Sequence, residues 1–296
     1  MTLLGHLPLV GGFVADAVTR LDFELSAADG TRERLSVVLK RVDRPEMRAM
    51  RALQDVPGHP AELPELLGEG RDERGFWVLM PFFAGRAPKG PIPHSVFRAL
   101  AELHVAFAGP EVERLALPPI DADSWRHLCL HVAHQVDEVL GERRLPLLER
   151  VRDSLLRRAG DARLGEALRV LPRTLVHGDM HPGNVVVTPE GAAIIDWGNA
   201  RSGPEMLDLA NVTEMGSPPF HAYLKRCVEL TAMPPDLRLV RIGFLWATVY
   251  VNTAYMGFAV TRDFLGIDGV GSLRPAYVEN MVDRAESALE ALGREL

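Results

Sequence analysis

The chain has 296 residues, 47% of them hydrophobic and 25% charged, with a formal net charge of -7. That length and balance read as a globular chain able to bury a sizeable core, either one two-lobed enzyme or two ordinary domains. The acidic excess argues against nucleic acid as the main partner, because a phosphate-binding surface needs a basic surplus; it is compatible with a cationic substrate without pointing to one.

The first residues, MTLLGHLPLVGGF, lack a basic leading region and are interrupted by glycine and proline, so no secretory signal is expected there. From Leu9 to Val42 the pattern is β: an apolar start, a break at Gly11 and Gly12, then Thr19, Leu21, Phe23 and Leu25 alternating with Arg20, Asp22 and Glu24. Asp29-Gly30 marks a turn, and 35–42 reads as the third strand. Gly11 and Gly12 therefore fall between the first two strands, as an ordinary hairpin turn or as a loop able to lie over phosphates.

Lys40 lies on that third strand. The chain has only three lysines, Lys40, Lys89 and Lys225, and its other cationic side chains are arginines. A lysine after Val-Val-Leu in so arginine-rich a chain suggests a need for a compact ammonium; the alternative is an edge-strand lysine whose stem covers apolar surface. Residues 45–54 read as a helix with Met47, Met50 and Leu53 on one face and Glu46 in its first turn, where the helix dipole favours a carboxylate. Strands at 66–70 and 76–83 around a turn at 71–75 complete a five-stranded antiparallel sheet that runs into Ala84-Gly85. No lysine follows a glycine, so a Walker loop is not expected.

From His94 the character becomes helical. Helices are expected at 94–107, 124–140 and 145–158, with a proline-rich loop at 109–120 and a charged connection at 141–144. His127, His131 and His134 share a helical face, as metal ligands would, but without a fourth ligand on that face a solvent or packing face is the favoured reading. Cys129 and Cys227 lie far apart in apolar-rich helical patterns and are expected to be free thiols of a cytoplasmic protein.

The most informative stretch is 173–198, RTLVHGDMHPGNVVVTPEGAAIIDWG. Apolar runs at 175–176, 185–187 and 192–195, with Pro-Glu-Gly at 189–191, predict a loop followed by a β-hairpin that gathers Asp179, Asn184 and Asp196 around one point. Phosphoryl transfer requires a carboxylate for the acceptor hydroxyl's proton, oxygen ligands for a metal and a cation for the remaining phosphate charge, and these three residues meet the first two needs. A second chemistry stays open: His177, Asp179 and His181, two positions apart, would share one face of a strand as transition-metal ligands, although Pro182 and Gly183 break such a strand.

His-Gly-Asp-Met-His-Pro-Gly-Asn followed by Ile-Asp-Trp resembles the signature of the aminoglycoside phosphotransferase and choline kinase group, whose fold is protein-kinase-like. The resemblance implies an α+β, two-lobe fold: an N-terminal nucleotide-binding lobe over 1–85, and a helical lobe over 86–296 with the catalytic loop and substrate site. It makes Asp179 the catalytic base, gives magnesium to Asn184 and Asp196, pairs Lys40 with Glu46 at the phosphates of ATP, and lays Gly11 and Gly12 over them. It also sets the carbonyl of Pro81 and the amide of Phe83 at adenine. Asp208, in the segment 203–210, would then brace the loop without reacting.

Three further helices are expected at 220–229, 235–256 and 275–292. The uncharged run from Ile242 to Val260 is nearly long enough to span a membrane, but its Thr248, Asn252 and Thr253 favour a buried core helix, and no membrane partner is expected. The resemblance suggests an aminoglycoside as the small-molecule acceptor, with choline, homoserine, a sugar, a macrolide or a protein hydroxyl also open. Asp121, Asp123, Asp137, Glu138 and Asp263 are candidate contacts for an amine-rich acceptor; Tyr250, Asn252 and Tyr255 would suit a less cationic one. A catalytically silent nucleotide-binding scaffold is the rival; it would be expected to lack one of Lys40, Asp179, Asn184 and Asp196, all of which are present.

Overall fold

In the computed structural model, residues 2–9, 18–26, 30–265 and 275–296 are described. Strands β1 (Thr2–Pro8), β2 (Val18–Ser26) and β3 (Arg32–Val42) are followed by helix α1 (Arg44–Leu53), then β4 (Gly68–Asp72) and β5 (Gly75–Pro81). They form one antiparallel sheet in the order β1-β2-β3-β5-β4. Lys40 faces Val18 across one ladder and Val78 across the other, so β3 is an inner strand and the edge-lysine alternative falls. The first strand begins at Thr2 rather than Leu9. Leu3, Leu4 and Leu7 are each about half exposed on this edge strand, and Gly5 sits at a shift in its register, so the strand shows no two-residue period. Gly11 and Gly12 lie outside the described residues.

Helix α1 starts where Asp43 caps it, accepting from the Glu46 amide at 2.8 Å, with Pro45 in its first turn. Its face of Met47, Met50 and Leu53 packs under the sheet beside Val78 and Met80. Burying each such side chain contributes about 1.5–3 kcal/mol.

Beyond the sheet the chain is mainly helical: α2 (His94–Ala106), α3 (Pro110–Arg114), α4 (Ala122–Leu140), α5 (Pro146–Ala159) and α6 (Ala162–Val170). Helix α3 falls in the stretch expected to be loop; Pro110 opens it and Val112 anchors it in the core. Helix α6 had no counterpart in the sequence reading, though Asp161 caps it with the Arg163 amide at 3.0 Å. Four short strands follow, β6 (Thr174–Val176), β7 (Val185–Val187), β8 (Ala192–Ile194) and β9 (Arg201–Gly203). The expected hairpin is β7 with β8, whereas β6 pairs with β9.

Helices α7 (Leu207–Ala210), α8 (Pro218–Thr231), α9 (Leu237–Ala254), α10 (Met256–Leu265) and α11 (Pro275–Glu295) complete the chain. The uncharged run is thus two helices broken at Tyr255, and among the described residues no helix is long and apolar enough to cross a membrane. One apolar core runs from α1 through α2 and the hairpin to α9; a second joins α4, α5, α10 and α11.

Candidate active site

Leu175 and Val176, fully buried on β6, deliver the chain to His177. Its ring is buried, with Nε2 2.9 Å from the Ile195 carbonyl and Nδ1 accepting from the Asp179 amide at 3.3 Å, while Trp197 packs against it at 4.7 Å between ring centres. Those partners place the proton on Nε2 and occupy both nitrogens, so His177, Asp179 and His181 do not form a metal triad. Buried Asp208 accepts from the amides of His177 at 2.6 Å and Gly178 at 2.9 Å, and lies 3.2 Å from Nε2 of His104, whose other nitrogen meets the Tyr223 hydroxyl at 2.9 Å. The loop is thereby fastened to α2 and α8. Gly178 has φ +79°, and a Cβ there would lie 2.2 Å from the Asn199 carbonyl, so the tight approach needs glycine.

Asp179 follows, with its side chain 28% exposed. Its Oδ1 accepts from the Tyr255 hydroxyl; its Oδ2 lies 3.4 Å from the Asn199 amide and 4.0 Å from His181 Nε2. The side chain of Asn184 donates to the Asp179 carbonyl at 2.8 Å from a 3-10 turn over Pro182–Asn184, which ties the candidate base and the candidate metal ligand into one unit.

Asp196 ends the hairpin in a left-handed conformation, φ 64°. A non-glycine residue is held there at some cost, a feature that gathers at functional sites. From this position Oδ1 meets the Lys40 ammonium at 2.6 Å, and the same ammonium meets Glu46 at 2.5 Å. Burial alone would push the Asp196 carboxyl up, but the Lys40 charge and hydrogen bond outweigh it and hold the carboxyl below its usual value. Burial opposes the charge on Lys40 too, yet Glu46 and Asp196 together raise its pKa, so the ammonium stays protonated.

The hairpin reaches the sheet through the segment after β5. Arg86 and Val187 exchange backbone hydrogen bonds at 3.1 and 2.8 Å, and a Cβ on Gly85 would lie 2.3 Å from the Val187 carbonyl. Between sheet and hairpin opens a cleft of about 300 Å³. Val38, Met80, Val186 and Ile195 line its apolar part beside Pro81 and Phe83, and Lys40, Asn184 and Asp196 line its polar part. Such a cleft suits a flat base at one end and a phosphate chain at the other. A carboxylate and an amide oxygen are hard donors of the kind magnesium takes in small number while keeping waters, so Asn184 and Asp196 fit that ion.

The expected residues thus converge, apart from the undescribed Gly11 and Gly12. The expected acceptor contacts do not. Asp121 caps α4 and shares a separate groove with Asp123, Arg126 and Arg173; Asp137 pairs with Arg152 at 3.5 Å; Glu138 lies 3.6 Å from His134. The Asp263 side chain is not among the described ones. His127, His131 and His134 point outward on α4. Asn252 turns back to the Thr248 carbonyl at 2.8 Å, and Tyr250 packs between Trp125 and Trp246. Tyr255 reaches the site, but at Asp179 rather than as a pocket wall. Asn199 was missed, although its place three residues after Asp196 was the available signal.

A family model described as a phosphotransferase enzyme family matches residues 23–233. Among solved structures, an aminoglycoside phosphotransferase from Alicyclobacillus acidocaldarius subsp. acidocaldarius DSM 446 is 15% identical over 94% of this chain and 90% of its own, with a TM-score of 0.55. A choline/ethanolamine kinase family protein from Mesorhizobium loti is 16% identical over 98% and 90%, TM-score 0.58. The GDP complex of aminoglycoside 2'-phosphotransferase-IIIa is 12% identical over 98% and 94%, TM-score 0.57. No curated protein matches the chain in sequence. At these identities the structures establish the fold, the kinase-like α+β arrangement expected above.

Proposed function

From the premise that the chain belongs to the phosphotransferase enzyme family, we propose that it moves the γ-phosphoryl group of ATP to a hydroxyl of a small molecule. The observation that carries this reading is the Lys40 ammonium held between Glu46 and Asp196 at the polar end of an apolar cleft. Adenine lies in the apolar part, with the Pro81 carbonyl and Phe83 amide as its edge contacts. Lys40 offsets charge on the α- and β-phosphates, and Asn184 and Asp196 hold magnesium, which when bound neutralises the phosphate oxygens. Asp179 orients the acceptor hydroxyl and takes its proton. All four groups are present and assembled, which supports an active enzyme over a silent scaffold. The same reading divides the molecule at Gly85 into a nucleotide-binding lobe, 1–85, and a lobe with the catalytic loop and acceptor site, 86–296.

For the acceptor, the structure draws Asp121, Asp123, Asp137 and Glu138 away from Asp179 into caps, ion pairs and a separate groove. Among the described residues, a phenol, an amide and an imidazole stand around Asp179 instead. This supports a hydroxylated metabolite of low positive charge, such as a sugar, over an amine-rich aminoglycoside, which would need clustered carboxylates.

Asp179→Asn tests the central assignment. It removes the proton acceptor and no nucleotide contact, so ATP affinity by calorimetry is expected to hold while turnover falls on the order of 10²-fold or more. Unchanged turnover would reject Asp179 as the base.

A further inference from the structure

Tyr255 stands at the break between α9 and α10, 76 residues from Asp179 in sequence, and its hydroxyl donates to Oδ1 of that carboxylate. The residue is held from both sides: its amide donates to the Val251 carbonyl at 3.1 Å, its carbonyl accepts from Ala259 at 2.9 Å, and its ring packs against both apolar cores. Burial, reinforced by the Asp179 charge, raises the phenol's pKa well above 10.0, so it remains a donor.

Asp179 is consequently gripped at three places. Asn184 donates to its carbonyl at 2.8 Å, its amide donates to His177 Nδ1 at 3.3 Å, and Tyr255 takes one carboxylate oxygen. Among the described residues, the other oxygen, Oδ2, has only the longer approaches of Asn199 at 3.4 Å and His181 at 4.0 Å. A carboxylate rotating freely would share its charge between two faces. One whose inner oxygen is fixed by a rigid donor presents the outer oxygen in a single direction, the pre-arrangement that proton acceptance from a bound hydroxyl rewards.

Resting on the phosphotransferase reading above, we propose that Tyr255 is a positioning residue: its hydroxyl pins Oδ1 of Asp179 so that Oδ2 is the oxygen that receives the acceptor hydroxyl. The acceptor then approaches from the side of Asn199 and His181. Packing alone requires only the ring, so the hydroxyl is the part the proposal isolates.

The test uses Tyr255→Phe, Asp179→Asn and the double variant, with magnesium-ATP as the only substrate and water as acceptor, read as single-turnover hydrolysis of labelled ATP. Loss of one hydrogen bond to a charged group predicts a fall of about tenfold in the hydrolysis rate of Tyr255→Phe, with unchanged half-saturation by ATP and native melting. In the Asp179→Asn background the same substitution is expected to have no further effect, because Tyr255 acts through that carboxylate. A Tyr255→Phe rate equal to wild type overturns the proposal. So does a tenfold loss that recurs in the double variant, since a structural defect would carry over. If the wild-type chain hydrolyses no ATP, the phosphotransferase reading falls and takes this role with it. An active wild type with an indifferent Tyr255→Phe removes the Tyr255 role alone.

Discussion

Lys40 donates to two carboxylates carried by different elements, Glu46 on α1 at 2.5 Å and Asp196 after β8 at 2.6 Å. Its side chain is 10% exposed and that of Glu46 is 6% exposed, so each charge depends on its partner for the solvation it has lost. The space between two carboxylates at such distances suits a compact ammonium and not a planar guanidinium. Lys40→Arg keeps the charge, yet it is expected to raise the KM for ATP and lower turnover by about tenfold or more, because the wider head displaces one carboxylate. Steady-state kinetics beside a melting curve make the measurement. Native kinetics with stability changed by no more than about 0.5 kcal/mol would mean that Lys40 serves only the strand. The lysine was legible in the sequence by its rarity, and Glu46 by its place in a first helical turn; that Asp196 would complete the set depended on a hairpin 156 residues away.

At the scale of elements, the cleft lined by Lys40, Asn184 and Asp196 depends on how the β7–β8 hairpin is moored. Two hydrogen bonds between Arg86 and Val187, and one from Ile194 to the Glu62 carbonyl at 2.7 Å, join it to the segments flanking β4 and β5. The approach leaves no room for a side chain at Gly85, whose Cβ would meet the Val187 carbonyl at 2.3 Å and Val186 at 2.7 Å. Because those atoms are backbone and a branched side chain, neither can move aside without carrying the hairpin with it. Gly85→Val is therefore expected to lower stability by about 2 kcal/mol or more and to weaken ATP binding severalfold, since Val186, Asn184 and Asp196 shift together. Denaturant unfolding and nucleotide titration test it; native values for both would show that the hairpin is not held at this point. The hairpin itself was legible because β-branched runs around Pro-Glu-Gly are local signals. Its mooring was not, since Gly85 carries no local mark of which chain will pass beside it.

For the whole molecule, the proposed acceptor class follows from where the acidic residues end up. Three of the five candidate carboxylates, Asp121, Asp137 and Glu138, are engaged elsewhere and a fourth, Asp123, lines a separate groove, so low-charge hydroxylated compounds are expected to bind beside ATP and amine-rich ones are not. Melting curves with magnesium-ATP and a panel of sugars, other polyols and aminoglycosides measure this. A ligand present at about 100 times its Kd adds about 2.7 kcal/mol to stability, a shift of several degrees. Upward shifts from aminoglycosides alone would refute the low-charge reading.

The amino-acid sequence by itself determined the five-stranded sheet, most of the long helices, the β7–β8 hairpin and the polar residues Lys40, Asn184 and Asp196 that line the cleft. Each of these is written in neighbours: a two- or four-residue apolar period, a turn of proline and glycine, or a motif whose spacing sets chemistry within one loop. Only the tertiary structure decided that the first strand begins at Thr2, that β6 pairs with β9, and that Tyr255 reaches Asp179 while Asp121 and Asp137 do not. An edge strand exposed on both faces shows no period, and strands of three residues are too short to show one. A contact between residues 76 apart is set by how helices pack across a core, a consequence of many buried side chains together that no local window contains.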